Sequence, residues 1–295
     1  TIGPVWDGNE VWLVTAGGAT FAAFPTTYAL MFSYLYSALL LILFALIFRG
    51  IALEFRGKVD SDGWRKGWDI ALFLGSFLPA LLFGVAFGNI FQGIPMDATG
   101  YHGTLFTLLN PYGILTGLLF VLLFIVHGSL WLTAKTNGEL GKRASSVTDK
   151  AWYVLLVVAV LFLIHTAFAT DLYTNYVENP VWFAVPAAAV LALLGIKIFA
   201  IKGAYLKAFY SSCLTILTVT FTGVIGLYPN LIPSNIDKNY SLTISNSSSS
   251  PYTLKIMTIV ALIFVPAVIA YQIWVYRIFR QKLTVDEVLN DKESY

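Results

Sequence analysis

Apolar runs succeed one another along the chain, most of them near the ~20 residues that carry a helix across a bilayer, with short polar segments between them. They fall at about 11–24, reaching back toward Trp6, then at 27–48, 68–88, 112–133, 151–169, 180–199, 208–227 and 254–276. This pattern predicts eight transmembrane helices. Phe24-Pro25-Thr26 parts the first run from the second, because proline stops or kinks a helix, and the two are expected to form a tight hairpin. Pro180 stands in the first turn of the sixth run, where its missing N–H is harmless.

The polar segments alternate in charge. Arg49, Arg56, Lys58, Arg65 and Lys66 follow the second run, whereas 89–111 holds no Lys or Arg. Lys135, Lys142, Arg143 and Lys150 come next, then the acids Asp171 and Glu178, then Lys197, Lys202 and Lys207. A long polar loop, 228–253, carries Ser247-Ser248-Ser249-Ser250, and the tail from Arg277 to Tyr295 starts basic and becomes mixed. Of the 18 Lys and Arg, only Lys238 and Lys255 fall on the far side. By the positive-inside rule the near side is cytoplasmic, which puts both ends of the chain there. Trp12, Trp64, Trp68, Trp131, Trp152, Trp182 and Trp274 lie near predicted span ends, where an interfacial aromatic belt is expected.

Composition fits this picture. The 295 residues are 58% hydrophobic and 12% charged, against about 25% charged in a soluble domain. The reading is an all-α, polytopic membrane protein in which 1–295 form a single transmembrane helical domain. The net charge of +2 carries no nucleic-acid signal, because the cations sit in short loops. Cys213 is the one cysteine, which excludes an internal disulfide and a cysteine-based metal site.

Ionisable groups in membrane spans are candidates for function, and few are present. His127 lies toward the near end of the fourth run and His165 toward the far end of the fifth, so they do not face one haem at one depth. His102 is in a loop, and hydrogen bonding at a helix interface is the plain role for the other two. Asp69 heads the third run, a favourable place for a negative charge. Asp171 and Glu178 read as solvated. Pro79, Pro186 and Pro266 are mid-span prolines, and Gly17-Gly18 suits close helix contact. Asp7 and Glu10 stand at the mouth of the first run with the spacing of a capping box. Capping and proton handling at a membrane helix mouth are both open, and one residue can do both.

These blocks carry a resemblance. Gly3-Pro4-Val5-Trp6-Asp7-Gly8-Asn9-Glu10-Val11-Trp12-Leu13, Thr15-Ala16-Gly17-Gly18-Ala19 and Phe21-Ala22-Ala23-Phe24-Pro25 are similar to subunit II of the cytochrome bd ubiquinol oxidase family. So are Trp64-Arg65, Trp68-Asp69, Gly75-Ser76-Phe77, Gly84-Val85-Ala86-Phe87-Gly88-Asn89, Gln92-Gly93-Ile94-Pro95 and Leu109-Asn110-Pro111-Tyr112-Gly113. Tyr228-Pro229, Pro233-Ser234, Ser241-Leu242-Thr243, Ser249-Ser250 and Leu254 continue it to the last run.

The resemblance implies two four-helix bundles plus a peripheral helix. The family's first helix, with its Gly-Phe-Asp motif, has no counterpart before Thr1, so the chain is expected to be N-terminally incomplete. It implies a heterodimer with a haem-bearing subunit I, and the family allows a small accessory single-helix subunit. Two haems b and haem d are expected in subunit I and none ligated by this chain, with quinol and dioxygen as reactants in a bacterial or archaeal cytoplasmic membrane. Turnover is expected to be electrogenic without pumping, as part of aerobic respiratory electron transport. The resemblance assigns Asp7 to cytoplasmic proton entry, lets Glu10 extend the relay, and places Trp12 along a possible O2 path. It assigns this chain no catalytic or metal residue. The competing reading is a small-solute transporter, whose eight spans with mid-helix prolines would suit broken-helix architecture.

Overall fold

The computed structural model describes residues 1–283. Eleven α-helices run in order: α1 (Trp6–Ala23), α2 (Pro25–Tyr34), α3 (Tyr36–Phe55), α4 (Asp62–Gln92), α5 (Pro111–Lys135), α6 (Gly138–Ala169), α7 (Thr174–Glu178), α8 (Ala184–Ile201), α9 (Tyr205–Leu227), α10 (Ile244–Ser247) and α11 (Pro251–Ile278). The charged tail beyond Leu283, including the chain's C-terminus, lies outside the described residues.

Among the described residues seven helices are long and apolar enough to cross a membrane: α3, α4, α5, α6, α8 with the 3-10 turn before it, α9 and α11. The first of the eight expected spans, α1, falls short, because Asp7, Asn9, Glu10, Thr15 and Thr20 dilute its apolar residues. The second expected span, 27–48, is also revised. It is two helices broken at Leu35, and the membrane-length part is α3. The helical ladder stops at Leu35 N–H to Met31 O and resumes at Leu39 N–H to Leu35 O, both 2.9 Å. No proline or glycine causes this. Leu35 is buried with Ala38, Val85 and Leu108, so packing under the 93–110 loop holds the break.

α4 and α6 begin well before their apolar runs. Their polar N-terminal segments carry Asp62, Arg65 and Lys66 in α4, and Glu139, Lys142, Arg143 and Lys150 over the first three turns and more of α6, so these helices continue past the apolar layer into polar surroundings. Asp69 therefore lies about two turns inside α4 rather than at its head, and pairs with Arg56 at 2.5 and 3.2 Å. Pro186 falls in the first turn of α8, not in mid-span.

α5 is the centre, packed against α4, α6 and α9. Leu119, Leu123, Val126 and Leu130 recur three and four residues apart and form one stripe. The stripe meets Trp152 and Leu155 of α6, Leu193, Ile196 and Ala200 of α8, and Ala208 of α9. Trp152 is corrected from the aromatic belt to this core, where its Nε1–H donates to Leu193 O at 2.9 Å. On its other side α5 meets α4 through small residues. A Cβ on Gly84 would sit 2.6 Å from Thr116 O and 2.7 Å from Gly117 Cα. Backbones approach this closely only where side chains are absent, the usual mode of helix association in lipid.

The far-side loops are locked together. Ile94 N–H donates to Pro233 O (3.0 Å), Asn235 N–H to Ile94 O (3.2 Å), and Asn235 Nδ2 to Gly93 O (2.9 Å). Ile94, Met96, Ile232 and Leu242 bury a small apolar cluster beneath these bonds.

Gly84→Ala is expected to destabilise the protein by about 1–3 kcal/mol through overpacking. Gly128→Ala, where an added Cβ meets nothing within 4 Å, should be neutral. Thermal unfolding of the purified membrane protein checks this, and equal melting of the two variants would refute the close-packing account.

Candidate functional site

The site is built around the first turn of α1. A turn precedes the helix, with Val5 N–H and Trp6 N–H both reaching Ile2 O at 3.0 and 2.9 Å. Val5 occupies the N-cap and has no side chain that can cap. Asp7 is thus inside the helix, in its first turn, and its Oδ1 accepts from Gly8 N–H at 2.7 Å. The capping-box reading of Asp7 and Glu10 does not hold. Glu10 reaches across to α3 and takes Arg49 Nη1–H at 2.5 Å, with both side chains about three-quarters covered. Asp7 is exposed, and among the described residues it has no cationic partner. The helix N-terminus still favours its negative charge.

The hairpin expected between the first two runs is present, with α2 and α3 together forming the return arm. The Trp6 ring packs at the near end of α3, where a Cβ on Gly50 would lie 3.5 Å from its Cη2. On the other flank α11 meets the same turn. Gln272 Nε2 donates to Gly8 O at 3.2 Å, and Asn9 Nδ2 donates to the Tyr276 hydroxyl at 3.0 Å. At the far end of α1, Ser249 N–H donates to Ala23 O (2.8 Å) and Ser249 Oγ to Ala22 O (2.7 Å). α1 itself buries no residue. Trp12 lies one turn beyond the Asp7–Asn9 segment, half-buried.

The histidines lie elsewhere. His127 on α5 is held by Ser212 of α9 (Nδ1 to Oγ, 2.8 Å) and stacks on Phe209. His165 on α6 meets the edge of Tyr112. Counting residues to the helix ends, His127 is about 12 Å from the near end of α5 and His165 about 6 Å from the far end of α6. They do not form a facing axial pair. Among the described residues no three of His, Cys, Asp and Glu cluster as metal ligands. His102 sits in the 93–110 loop, where its Nε2 lies 2.9 Å from Asp97 Oδ1 and 3.0 Å from Thr99 Oγ1.

A family description, cytochrome bd terminal oxidase subunit II, matches residues 1–279. The chain belongs to this family. It is 40% identical over 288 residues to the cytochrome bd ubiquinol oxidase subunit 2 of Bacillus subtilis, covering 97% of this chain and 85% of that protein. It is 37% identical over 325 residues to the probable cytochrome oxidase subunit 2 of Haemophilus influenzae, covering the whole chain and 86% of the relative. Against the cytochrome bd-I ubiquinol oxidase subunit 2 of Escherichia coli it is 35% identical over 326 residues, again across the whole chain and 86% of the relative. This subunit II is therefore a multi-pass membrane component of an oxidoreductase complex in electron transport, and the transporter reading is set aside.

The sequence singles out Asp7 but gives no sign of its surroundings. Arg49 had read as a loop cation at the end of an apolar run. Gln272, Tyr276 and Ser249 gave no sign of their partners, because each contact joins positions more than 220 residues apart.

The far-side loop has its own electrostatic tie. Hydrogen bonds from His102, then from the Thr99 side chain and N–H, hold the Asp97 carboxyl down at about 2. A depressed carboxyl pKa contributes stability above the free value of about 4 and loses it as pH falls toward about 2. Asp97→Ala is expected to speed hydrogen exchange at the Thr99 amide at neutral pH, while the wild type loosens there only in that acid window. Equal exchange in the two proteins at neutral pH would contradict the tie.

Proposed function

We propose that this chain is the non-haem-ligating subunit II of a bd-type quinol oxidase and supplies its cytoplasmic proton entry at Asp7. The complex oxidises quinol and reduces dioxygen to water, and its haems b and d belong to the partner subunit I. Those haems would supply the electron transfer and the dioxygen chemistry. This chain supports subunit I within the bilayer and delivers protons toward it.

The observation that carries the proposal is the contrast between the two acids of α1. Asp7 is exposed on the side that bears most of the Lys and Arg, and its recorded hydrogen bond is with the neighbouring Gly8 N–H. It can exchange protons with water and remain in place on the helix. Glu10 already holds the Arg49 guanidinium, so taking a proton would cost it an ion pair. Asp7 is the loading carboxylate in this reading, and Glu10 with Arg49 fixes the α1–α3 hairpin rather than extending the relay. Half-buried Trp12 serves packing on α1 in the same reading.

The need for such a group is chemical. Dioxygen reduction consumes protons inside the membrane, where water is scarce and a bare charge is costly. A carboxylate at the surface loads from water and passes the proton inward along polar groups. Drawing protons from the cytoplasm makes turnover electrogenic without a pump. The charge asymmetry of the loops supports a cytoplasmic near side.

Asp7→Asn in the assembled oxidase is expected to slow quinol oxidation roughly tenfold or more, with the haem spectrum unchanged. Turnover at the wild-type rate would end the proton-entry reading, and loss of the haem spectrum would make Asp7 a structural residue.

A further inference from the structure

We infer that Gln272 and Tyr276 of α11 are positioning residues for the proton entry at Asp7. The inference rests on the proton-entry reading and adds the device that keeps the carboxylate in place.

The first turn of α1 is poorly held from within. Val5 offers no side-chain cap, Gly8 is a poor helix former, and α1 buries none of its residues. Helix ends fray when their free N–H groups lack partners. The turn is instead held from outside, on two flanks. α3 supplies Arg49 to Glu10 and a seat for the Trp6 ring at Gly50. α11 supplies Gln272 to Gly8 O and Tyr276 to Asn9, the residues immediately after Asp7. Gln272 and Tyr276 are four residues apart and so lie on one stripe of α11.

Tyr276 is itself anchored. Its ring meets Trp131 of α5 edge to face at 5.7 Å, and Trp131 packs on Phe209 of α9 at 5.3 Å. A contact path therefore runs from the central helix through Trp131 and Tyr276 to Asn9, and along the backbone to Asp7. Asp7 Oδ1 is tied to Gly8 N–H, so a shift of Gly8 moves the carboxylate's hydrogen-bond partner. The hydrogen bond from Gln272 acts on Gly8 O, and the bonds shared by Tyr276 and Asn9 act one residue further on.

The test uses the assembled oxidase. Tyr276→Phe removes the hydroxyl and keeps the ring on Trp131. Gln272→Met removes the donor and keeps the length. Each is expected to lower turnover about three- to tenfold, leave KM for quinol and the haem spectrum unchanged, and show a loss that grows as pH rises and protons become scarce. Tyr271→Phe, on the exposed face of α11 beside Trp274, serves as the control and should match the wild type. If Tyr276 acts through Asp7, the Asp7→Asn/Tyr276→Phe double variant turns over no more slowly than Asp7→Asn alone. A multiplicative loss would overturn the inference, as would a deficit that does not change with pH. If Tyr276→Phe loses the haem spectrum, the residue is structural, and the same measurements on Gln272→Met decide the matter. Slow Asp7→Asn with wild-type Tyr276→Phe and Gln272→Met would sink the positioning role alone. Wild-type turnover in Asp7→Asn would sink the proton-entry reading beneath it.

Discussion

Polar contacts hold α1 in place, and the candidate site depends on them. The helix has no buried residue, so apolar packing alone does not fix its depth or rotation. In lipid the hydrophobic effect gives helices little reason to prefer one another over acyl chains, and hydrogen bonds and close packing decide their association. α1 follows this rule: an ion pair to α3, amide and phenol contacts to α11, and a serine at its far end. A helix that carries Asp7, Asn9 and Glu10 at one end cannot be covered by apolar neighbours on every side without stranding those groups.

The rest of the molecule is held differently. α5 packs on three helices through a leucine-rich stripe on one face and a glycine-lined approach to α4 on another. Trp152 closes its N–H onto the backbone of α8, and Ser129 with Thr148, and Tyr112 with Thr166, pair their hydroxyls between α5 and α6. The far-side loops then join residues 93–96 to 232–235, so segments distant in sequence share one cover over the helix ends. Stability is thus concentrated away from α1, in helices that carry no candidate chemistry.

Much of this was legible in the sequence, and the misses have causes. Seven long apolar helices follow from runs of hydrophobic residues, and the break after Ala23 follows from Pro25. The break at Leu35 was not legible, because the neighbouring Tyr34 and Tyr36 are not helix breakers and the cause is burial against Leu108, more than 70 residues on. The near-side starts of α4 and α6 were missed because those turns are polar. Trp152 read as interfacial because a tryptophan beside a lysine has the same local signature in a core or at a boundary. The spacing of Asp7 and Glu10 matched a capping box, but the turn at Ile2 starts the helix two residues too early for Asp7 to cap it. Asp7 itself stood out in the sequence because a carboxylate at the mouth of an apolar run is rare. Its supports were not found, since Arg49, Gln272 and Tyr276 are common residues whose meaning lies in distant pairing.

Ser249, in the loop that leads into α11, grips the last carbonyls of α1, and Gln272 with Tyr276 of α11 grips its first turn. The two grips lie at opposite ends of the helix. A slide of one residue, about 1.5 Å, would disturb the bonds at both ends at once. α1 is therefore clamped against piston motion as well as rotation. The depth at which Asp7 meets the water layer becomes a fixed dimension of the protein, set like the span of a caliper by the distance from a serine just ahead of α11 to a tyrosine near its end.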